Sequence, residues 1–480
     1  MTKILSFDDE TIQKLFGHEA AEDDDFNRLK EFYFKSKIYN RIIADLPLRI
    51  LVGHKGIGKS ALFMIAISEE SQQGNLPILI RPDDIVNLGS SGGDFLHTIR
   101  DWKNGLIEII SRKVLTTMGI ENVSSPYPFI NYGGKLLSFI IDSLKSDKLP
   151  INLDPSKRQI INKFMDNRII TVYIDDLDRG WRGDKENISR ISALLNALRD
   201  ISKENLGIRF RIGLRTDVYY LVRISDESTD KIEGSVVWFT WTDHEILVLL
   251  IKRIETFFGR SIDESSLLLK QPSELAGYLN PIMEPKFKDK GKIIPTYHLL
   301  TTFIRKRPRD LVKLCTLAAR RAYDYKQPII GSSELRAIFE EYSQGRLQDT
   351  INEYRSELPS IERLIIGMKP SKKDISSYMG FIYPTNVLIL KIKKLIEQGS
   401  FRFANGEIAT PKQLAHFMYK INFLIARKDD PGGKLIRKYF EENRYLSSEF
   451  AEFGFHWEIH PAYRWALQPA ASAQTIYQDF

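Results

Sequence analysis

Residues 26–46, FNRLKEFYFKSKIYNRIIADL, place Phe26, Leu29, Phe32 or Tyr33, Ile38, Ile42 and Ile43 near helical spacing with charges between them. That rhythm predicts an amphipathic helix with a break near Ser36. The acidic run of residues 22–25 just before it reads as a solvated helix start that complements the helix dipole. The pattern then changes. LRILVG is a short apolar run of strand type, a glycine-rich turn follows, and ALFMIAISEE returns to helical period. PILIRPDDI predicts a second strand, RIITVYIDDLDRGW a third and IRFRIGLRTDVYYLVR a fourth, with the helix NISRISALLNALRDISKE between the last two. Strands alternating with helices predict an α/β fold built on a parallel sheet. Residues 95–145 read as mostly helical, interrupted by Gly and Pro clusters at 124–128 and 133–134.

From residue 242 to about 344 the pattern is helical, with HEILVLLIKRIETFF and with PRDLVKLCTLAARRAYDY, whose Pro308 suits a first helical turn. The last stretch mixes helices, NVLILKIKKLIEQ and TPKQLAHFMYKINFLIARK, with a strand-like FGFHWEIHP. No internal repeat or low-complexity tract stands out.

Composition narrows the class. With 480 residues and 43% apolar content the chain suits several globular domains. Its 69 Lys and Arg against 62 Asp and Glu give a formal charge of +7, a mild basic excess compatible with polyanions. Cys315 is the single cysteine, so an intrachain disulfide is excluded and a reducing cytoplasm is the expected location. The N-terminal sequence lacks the apolar run of a secretory signal. Its most apolar windows, residues 246–251 and 387–392, fall far short of the roughly 18 residues that span a bilayer, so no membrane association is expected.

The glycine turn carries the chemistry. Residues 53–60 read GHKGIGKS and satisfy G-x-x-x-x-G-K-[ST] through Gly53, Gly58, Lys59 and Ser60. Glycines let backbone N–H groups wrap a phosphate, the following helix adds its positive end, the lysine reaches terminal phosphates and the serine binds magnesium. The expected nucleotide contacts are Gly53, His54, Lys55, Gly56, Ile57, Gly58, Lys59, Ser60 and Ala61, with ATP and Mg²⁺ as cofactors. A magnesium partner is needed at the end of a neighbouring strand, and Asp175 in VYIDDLD supplies it. Asp176 follows where many ATPases carry a glutamate that polarises water. Its shorter side chain predicts slow hydrolysis. Asp176 and Asp178 could each instead be a cap in the turn after the strand.

IDDLDR after an apolar strand, LRTDVYYLV, a W-x-x-H-E-I helix start and KRPRDLVKLC together resemble the STAND and AAA+-related P-loop ATPases, particularly the KAP-like, bacterial defence-associated branch. The resemblance covers roughly residues 26–330. It implies a P-loop NTPase core followed by an α-helical lid, while the helices and strand of the last stretch resemble a winged-helix module, a small mixed α/β C-terminal domain. The corresponding boundaries are a helical lead-in at 1–46, the core at 47–242 with an insertion at about 95–145, the lid at 243–345 and the C-terminal domain at 346–480. It implies that Arg215, Thr216 or Asp217 senses the γ-phosphate, and that Arg307 or Arg309 reaches the nucleotide from the lid. Arg215 beside Asp217 could equally form a local ion pair, and residues 307–310 could be a helix start with solvated charges. Arg179, Arg182 or Arg223 could act across a subunit boundary.

In the C-terminal segment His456, Glu458 and His460 alternate with Phe455, Trp457 and Ile459. One face could hold zinc, although a solvent-facing strand side is the ordinary reading. Lys391, Lys393, Lys394, Arg402 and Lys412 could bind DNA or pack on the core. The expected function is an ATP-binding, slowly hydrolysing switch that controls assembly or a partner effector in bacterial antiphage defence. Its partners are a homo-oligomer and a separate effector protein. The alternatives are a DNA-binding ATPase of loader or initiator type, with nucleic acid as partner, and a nucleotide-dependent scaffold without turnover.

Overall fold

The structure, a computed structural model, describes residues 5–89, 94–119, 140–141, 155–289, 291–371, 380–429, 435–444 and 454–467. By their contacts they form two compact units, one of Lys35–His54 and Lys59–Phe239, the other of Met1–Phe34, Lys55–Gly58 and Thr240–Phe480.

The first unit is built on β1 (Leu48–Val52), β2 (Leu76–Ile80), β3 (Ile170–Ile174), β4 (Ile208–Leu214) and β5 (Val236–Trp238). They lie in the order β2-β3-β4-β1-β5, and every pair is parallel. Residues 170–174 are all fully buried, as a parallel strand covered on both faces requires, which is why they read as one apolar run. The pairings Ile80 with Ile174, Ile174 with Ile212 and Val52 with Leu214 align the carboxyl ends of β1 to β4 along one edge. β5 was not anticipated, because three residues are too few to show a period. The helix Phe95–Thr117 packs on the helix Lys185–Glu204, where Trp102 donates its indole N–H to the carbonyl of Arg190 at 3.1 Å. It covers the start of the expected insertion. The glycine and proline clusters at 124–128 and 133–134 lie outside the described residues.

One β4 residue breaks the apolar pattern. Arg211 is completely buried, yet its guanidinium donates to the carbonyls of Leu46, Phe210 and Ala44, each at 2.9 Å. Burial lowers its pKa to about 10; the three carbonyls serve its two terminal nitrogens, while its Nε has no hydrogen-bond partner among the described residues.

The lead-in forms two helices, Phe26–Phe32 in the second unit and Lys37–Ile43 in the first, and the expected break falls at Ser36, the N-cap of the later helix. The predicted lid is not wholly helical. β6 (Lys286–Asp289) and β7 (Lys292–Pro295) form an antiparallel hairpin that was read as helix because its two short arms carry no clear alternation. The helix Pro308–Asp324 starts at Pro308 and buries Leu311, Leu314, Cys315, Ala318 and Ala322 along one stripe. Burial pushes the Cys315 thiol up to about 12, so it packs as a small apolar residue.

The C-terminal residues form β8 (Ile382–Tyr383), β9 (Leu424–Asp429), β10 (Leu435–Lys438) and β11 (His456–Ile459), an antiparallel sheet in the order β10-β9-β11-β8. The single helix predicted from TPKQLAHFMYKINFLIARK is corrected to a helix, Pro411–Lys420, followed by β9. Asn422 takes φ 57° at the turn, a left-handed conformation that asparagine tolerates and that ends the helix. The solvent-facing reading of β11 is also corrected. Glu458 is fully buried, held by Arg437 at 2.8 Å and by Arg464, and His460 is fully buried with its Nε2 3.0 Å from the Tyr439 hydroxyl. Burial and the nearby Arg437 hold His460 well below the usual histidine range. Among the described residues no group of three or more His, Cys, Asp or Glu is placed to hold a metal ion. Among them, too, no helix is long and apolar enough to cross a membrane.

Candidate phosphate-binding site

β1 delivers the glycine loop to the carboxyl edge of the sheet. The N–H of Gly53 donates to the carbonyl of Leu214 at 3.1 Å, extending the β1–β4 ladder by one residue before the chain turns. The helix Lys59–Gln73 then begins at the lysine of the motif, so its unpaired first-turn N–H groups and positive dipole end sit at the loop. Its first turn carries no acidic residue to compete for them. Lys59 folds over its own loop, with Nζ donating to the carbonyls of Gly53 at 2.8 Å and His54 at 3.2 Å. His54 and Ala61 are buried, Ser60 is half-buried and Lys55 is exposed.

The tip of the loop belongs by its contacts to the second unit. Gly56 and Gly58 take φ 77° and 104°, values that side chains resist. Trp241 donates its indole N–H to the carbonyl of Ile57 at 2.9 Å. The N–H of Arg309 donates to the carbonyl of Gly56 at 3.3 Å, and a Cβ on Gly56 would come within 2.9 Å of the Cβ of Arg309. Arg309 spends its Nε on the carbonyl of Glu19 at 2.9 Å. Arg307 is 1% exposed, so the solvated-charge reading of residues 307–310 is corrected. Asp310 pairs with Arg305, five residues before it, and with the distant Arg346, while Arg307 finds its partner in the distant Glu353.

On the first unit the carboxylates collect at the ends of β3 and β4. Asp175 follows β3 directly, with its N–H bound to the carbonyl of Ile80 at 3.3 Å. Burial raises its pKa, while a hydrogen bond from Ser60 and the charge of Lys59 pull it only partly back. Asp178 is raised by burial too, against the pull of Arg215 and Lys59. Arg215 forms the local ion pair that the sequence allowed. Its Nε and Nη2 grip both oxygens of Asp217 at 3.0 and 2.6 Å, and its Nη1 reaches Asp178 at 3.4 Å. Asp178 therefore joins the charge cluster at the sheet edge. Thr216 is fully buried, its hydroxyl without a hydrogen-bond partner among the described residues. Asp176 is exposed, with φ 61°. Arg179 and Arg182 are exposed, whereas Arg223 pairs with Asp230 at 2.5 Å and Glu233 at 3.6 Å.

The sheet order explains the gathering. β4 lies between β1 and β3, so Arg215 at its end stands between the strands that deliver Gly53 and Asp175. Two participants escaped sequence reasoning. Glu353, about 300 residues from the loop, carried no signal at all. Gly213, an isolated glycine inside a strand, did carry one, because such a residue marks a close approach.

No family model matches the chain. An 80.3 kDa protein ascribed to transposon gamma-delta in Escherichia coli is 22% identical over 495 residues, an alignment covering 93% of this chain. The chain spans 66% of the length of that relative. Among solved structures, a Walker-type ATPase of Pyrococcus abyssi is 14% identical with a TM-score of 0.39, covering 88% of this chain and 96% of its own. The ORC2 protein of Aeropyrum pernix, solved with ADPNP and ADP, is 12% identical with a TM-score of 0.38, covering 94% and 91%. The RuvB Holliday junction branch migration motor of Thermotoga maritima is 13% identical with a TM-score of 0.33, covering 92% and 99%.

Proposed function

We propose that this chain binds ATP with magnesium at the loop of residues 53–60 and hydrolyses it slowly, as a regulatory switch controlling assembly or a partner effector. The observation that carries the reading is the meeting of Lys59, Ser60 and the half-buried Asp175 at one sheet edge. The donor set suits the group. The loop offers backbone N–H groups, a helix start and an ammonium for phosphates, while Ser60 and Asp175 offer the oxygens that magnesium prefers. When bound, magnesium supplies charge neutralisation at the transferred phosphoryl group. Gly53, His54, Lys55, Gly56, Ile57, Gly58, Lys59, Ser60 and Ala61 form the cradle, and Arg309 is the arginine that the second unit brings to the loop tip. Asp176 orients water from an exposed position beside Asp175. Arg215 acts through the Asp178 and Asp217 carboxylates that hold it, so any sensing by it requires that pairing to loosen.

ATP titration of the full chain and of Lys59→Ala tests the binding. No binding by the unsubstituted protein removes the proposal. Phosphate release that disappears in Asp175→Ala supports turnover, and binding without release favours a nucleotide-dependent scaffold. The antiphage setting, with a homo-oligomer and a separate effector as partners in the cytoplasm, is supported by the resemblance of motifs alone. Loss of phage protection in Lys59→Ala cells is its test.

A DNA-handling ATPase is the second reading. It is supported by the exposed Lys393, Lys394, Arg402 and Lys412 and by a relative ascribed to a transposon. Duplex DNA anisotropy over a salt series decides it, since phosphate contacts weaken steeply with salt.

A further inference from the structure

Lys55 is gripped at both ends of its backbone by one ion pair. Its N–H donates to Oε1 of Glu353 at 3.3 Å, and its carbonyl accepts from Nη1 of Arg307 at 3.2 Å. The same Nη1 donates to Oε2 of Glu353 at 3.1 Å, closing a ring of three hydrogen bonds around one residue. Both charged side chains are almost wholly buried, 1% and 4% exposed, so solvent screening does little to weaken them. Arg307 is the N-cap of the helix Pro308–Asp324, and Glu353 sits in the last turn of the helix Ser332–Tyr354. Two rigid helices thus meet on a single loop residue. The Nε and Nη2 of Arg307 are buried with no hydrogen-bond partner among the described residues.

Resting on the nucleotide reading above, we infer that Arg307 and Glu353 are positioning residues that hold the Lys55 peptide, and with it the phosphate loop, in its binding shape. The pair supplies what the loop cannot supply itself. Gly56 and Gly58 give it freedom to adopt the left-handed turns and equal freedom to leave them. A peptide fixed at Lys55 removes much of that freedom before the ligand arrives, so less ordering has to accompany binding. Neither residue need touch the nucleotide for this. Glu353 needs two acceptor oxygens for two donors, and the single Nη1 of Arg307 serves the Lys55 carbonyl and the Glu353 carboxylate together.

The test uses the full chain, Glu353→Gln and Arg307→Lys, with ATP and magnesium as the probe. Glutamine keeps one acceptor oxygen and loses the second, and lysine keeps the charge but lacks the guanidinium Nη1 that joins the Lys55 carbonyl to Glu353. Each is expected to weaken ATP binding about tenfold, the equivalent of one charged hydrogen bond. In nucleotide-free protein each is also expected to speed amide exchange in the peptide covering 53–60, with β3 and β4 unchanged. A purely structural pair would speed exchange in its own helices and leave the loop alone. Folded variants with unchanged loop exchange and unchanged ATP affinity overturn the inference. If one variant fails to fold, the other is read. In addition, ATP must protect the 346–356 peptide of the unsubstituted protein together with 53–60, and protection confined to the loop overturns the inference. Should the unsubstituted protein take up no ATP, the nucleotide reading falls, and loop exchange in the two variants still decides whether the pair holds Lys55.

Discussion

Gly213 and Asp175 are matched by contact. A Cβ built at position 213 of β4 would lie 2.7 Å from Oδ1 of Asp175 and 3.3 Å from the ring of Phe63. The empty space is what lets the carboxylate sit beside its neighbouring strand, where Ser60 reaches it. Gly213 has ordinary strand geometry, so backbone freedom is not its reason.

Gly213→Ala is therefore expected to push Asp175 aside. Overpacking of this kind costs about 1–3 kcal/mol. Magnesium-dependent phosphate release should fall at least tenfold, while affinity for ATP without magnesium stays close to the original. Gly234→Ala is the control, since nothing lies within 4 Å of its added carbon and its φ is not positive. Equal phosphate release by the two variants would refute the contact.

Asp176 carries a different constraint. With φ 61° it occupies the left-handed region, where a short polar side chain is tolerated and a longer one is strained. Replacing it with glutamate, to restore what many ATPases carry, is expected to cost about 1 kcal/mol of stability and to give no faster turnover. Asp176→Gly should be neutral or stabilising in a urea melt, because glycine meets no penalty there. A stabilised Asp176→Glu would contradict this account.

How far the sequence carried these conclusions depends on the distance over which each residue finds its partner. The loop, β1, β3 and β4 were legible because an apolar run, a glycine motif and an aspartate lie within a few residues of each other. Asp175 was legible for the same reason. The charges of residues 307–310 read as solvated, because a charge run usually is, and their burial depends on Arg346 and Glu353 about 40 residues onward. Glu458 was misread likewise. Alternation put it on the polar side of β11, and only the fold shows that Arg437 and Arg464 cover that side. The hairpin of β6 and β7 and the strand β9 were missed for want of length. Each arm is too short to establish a period against the helical stretches around it.

Asp175 also predicts a pH dependence. Its folded pKa is raised by burial, so the folded state prefers the neutral acid. The stabilisation that this gives is complete below the unfolded value of 3.8 and is lost as pH rises through the folded value. In nucleotide-free protein at neutral pH the ionised carboxylate is thus a cost. Asp175→Asn, which removes the charge and keeps the shape, should raise Tm at pH 8 and lose that advantage as the pH approaches 4. Calorimetry of both proteins across that range is the measurement. A destabilised Asp175→Asn at pH 8 without nucleotide would show that Ser60 and Lys59 outweigh the burial. Magnesium with ATP should reverse the order, because only the carboxylate can hold the ion.

The network around Asp310 sets the largest expected loss. Arg305 grips both its oxygens, Nε to Oδ2 at 2.7 Å and Nη2 to Oδ1 at 2.8 Å, and Arg346 adds a third contact at 2.7 Å. The same Arg305 reaches Thr350 at 2.8 Å and the Tyr463 hydroxyl at 3.2 Å, tying three helices together. Arg305 and Asp310 are almost fully buried. Burial works against the Asp310 charge, but Arg305 and Arg346 more than offset it and hold the carboxyl well below the usual range. The depressed value means that its stabilisation is present above the unfolded 3.8 and is lost only as pH falls through the lower folded value. Asp310→Asn leaves two buried guanidinium groups facing a neutral amide, and breaking a buried pair from one side costs about 3–5 kcal/mol. That is a large share of the stability of an ordinary domain, so the variant should unfold at far lower urea than Tyr463→Phe, which removes one hydroxyl and costs about 1 kcal/mol. Equal urea midpoints for the two would mean that the ion network contributes no more than a single neutral hydrogen bond.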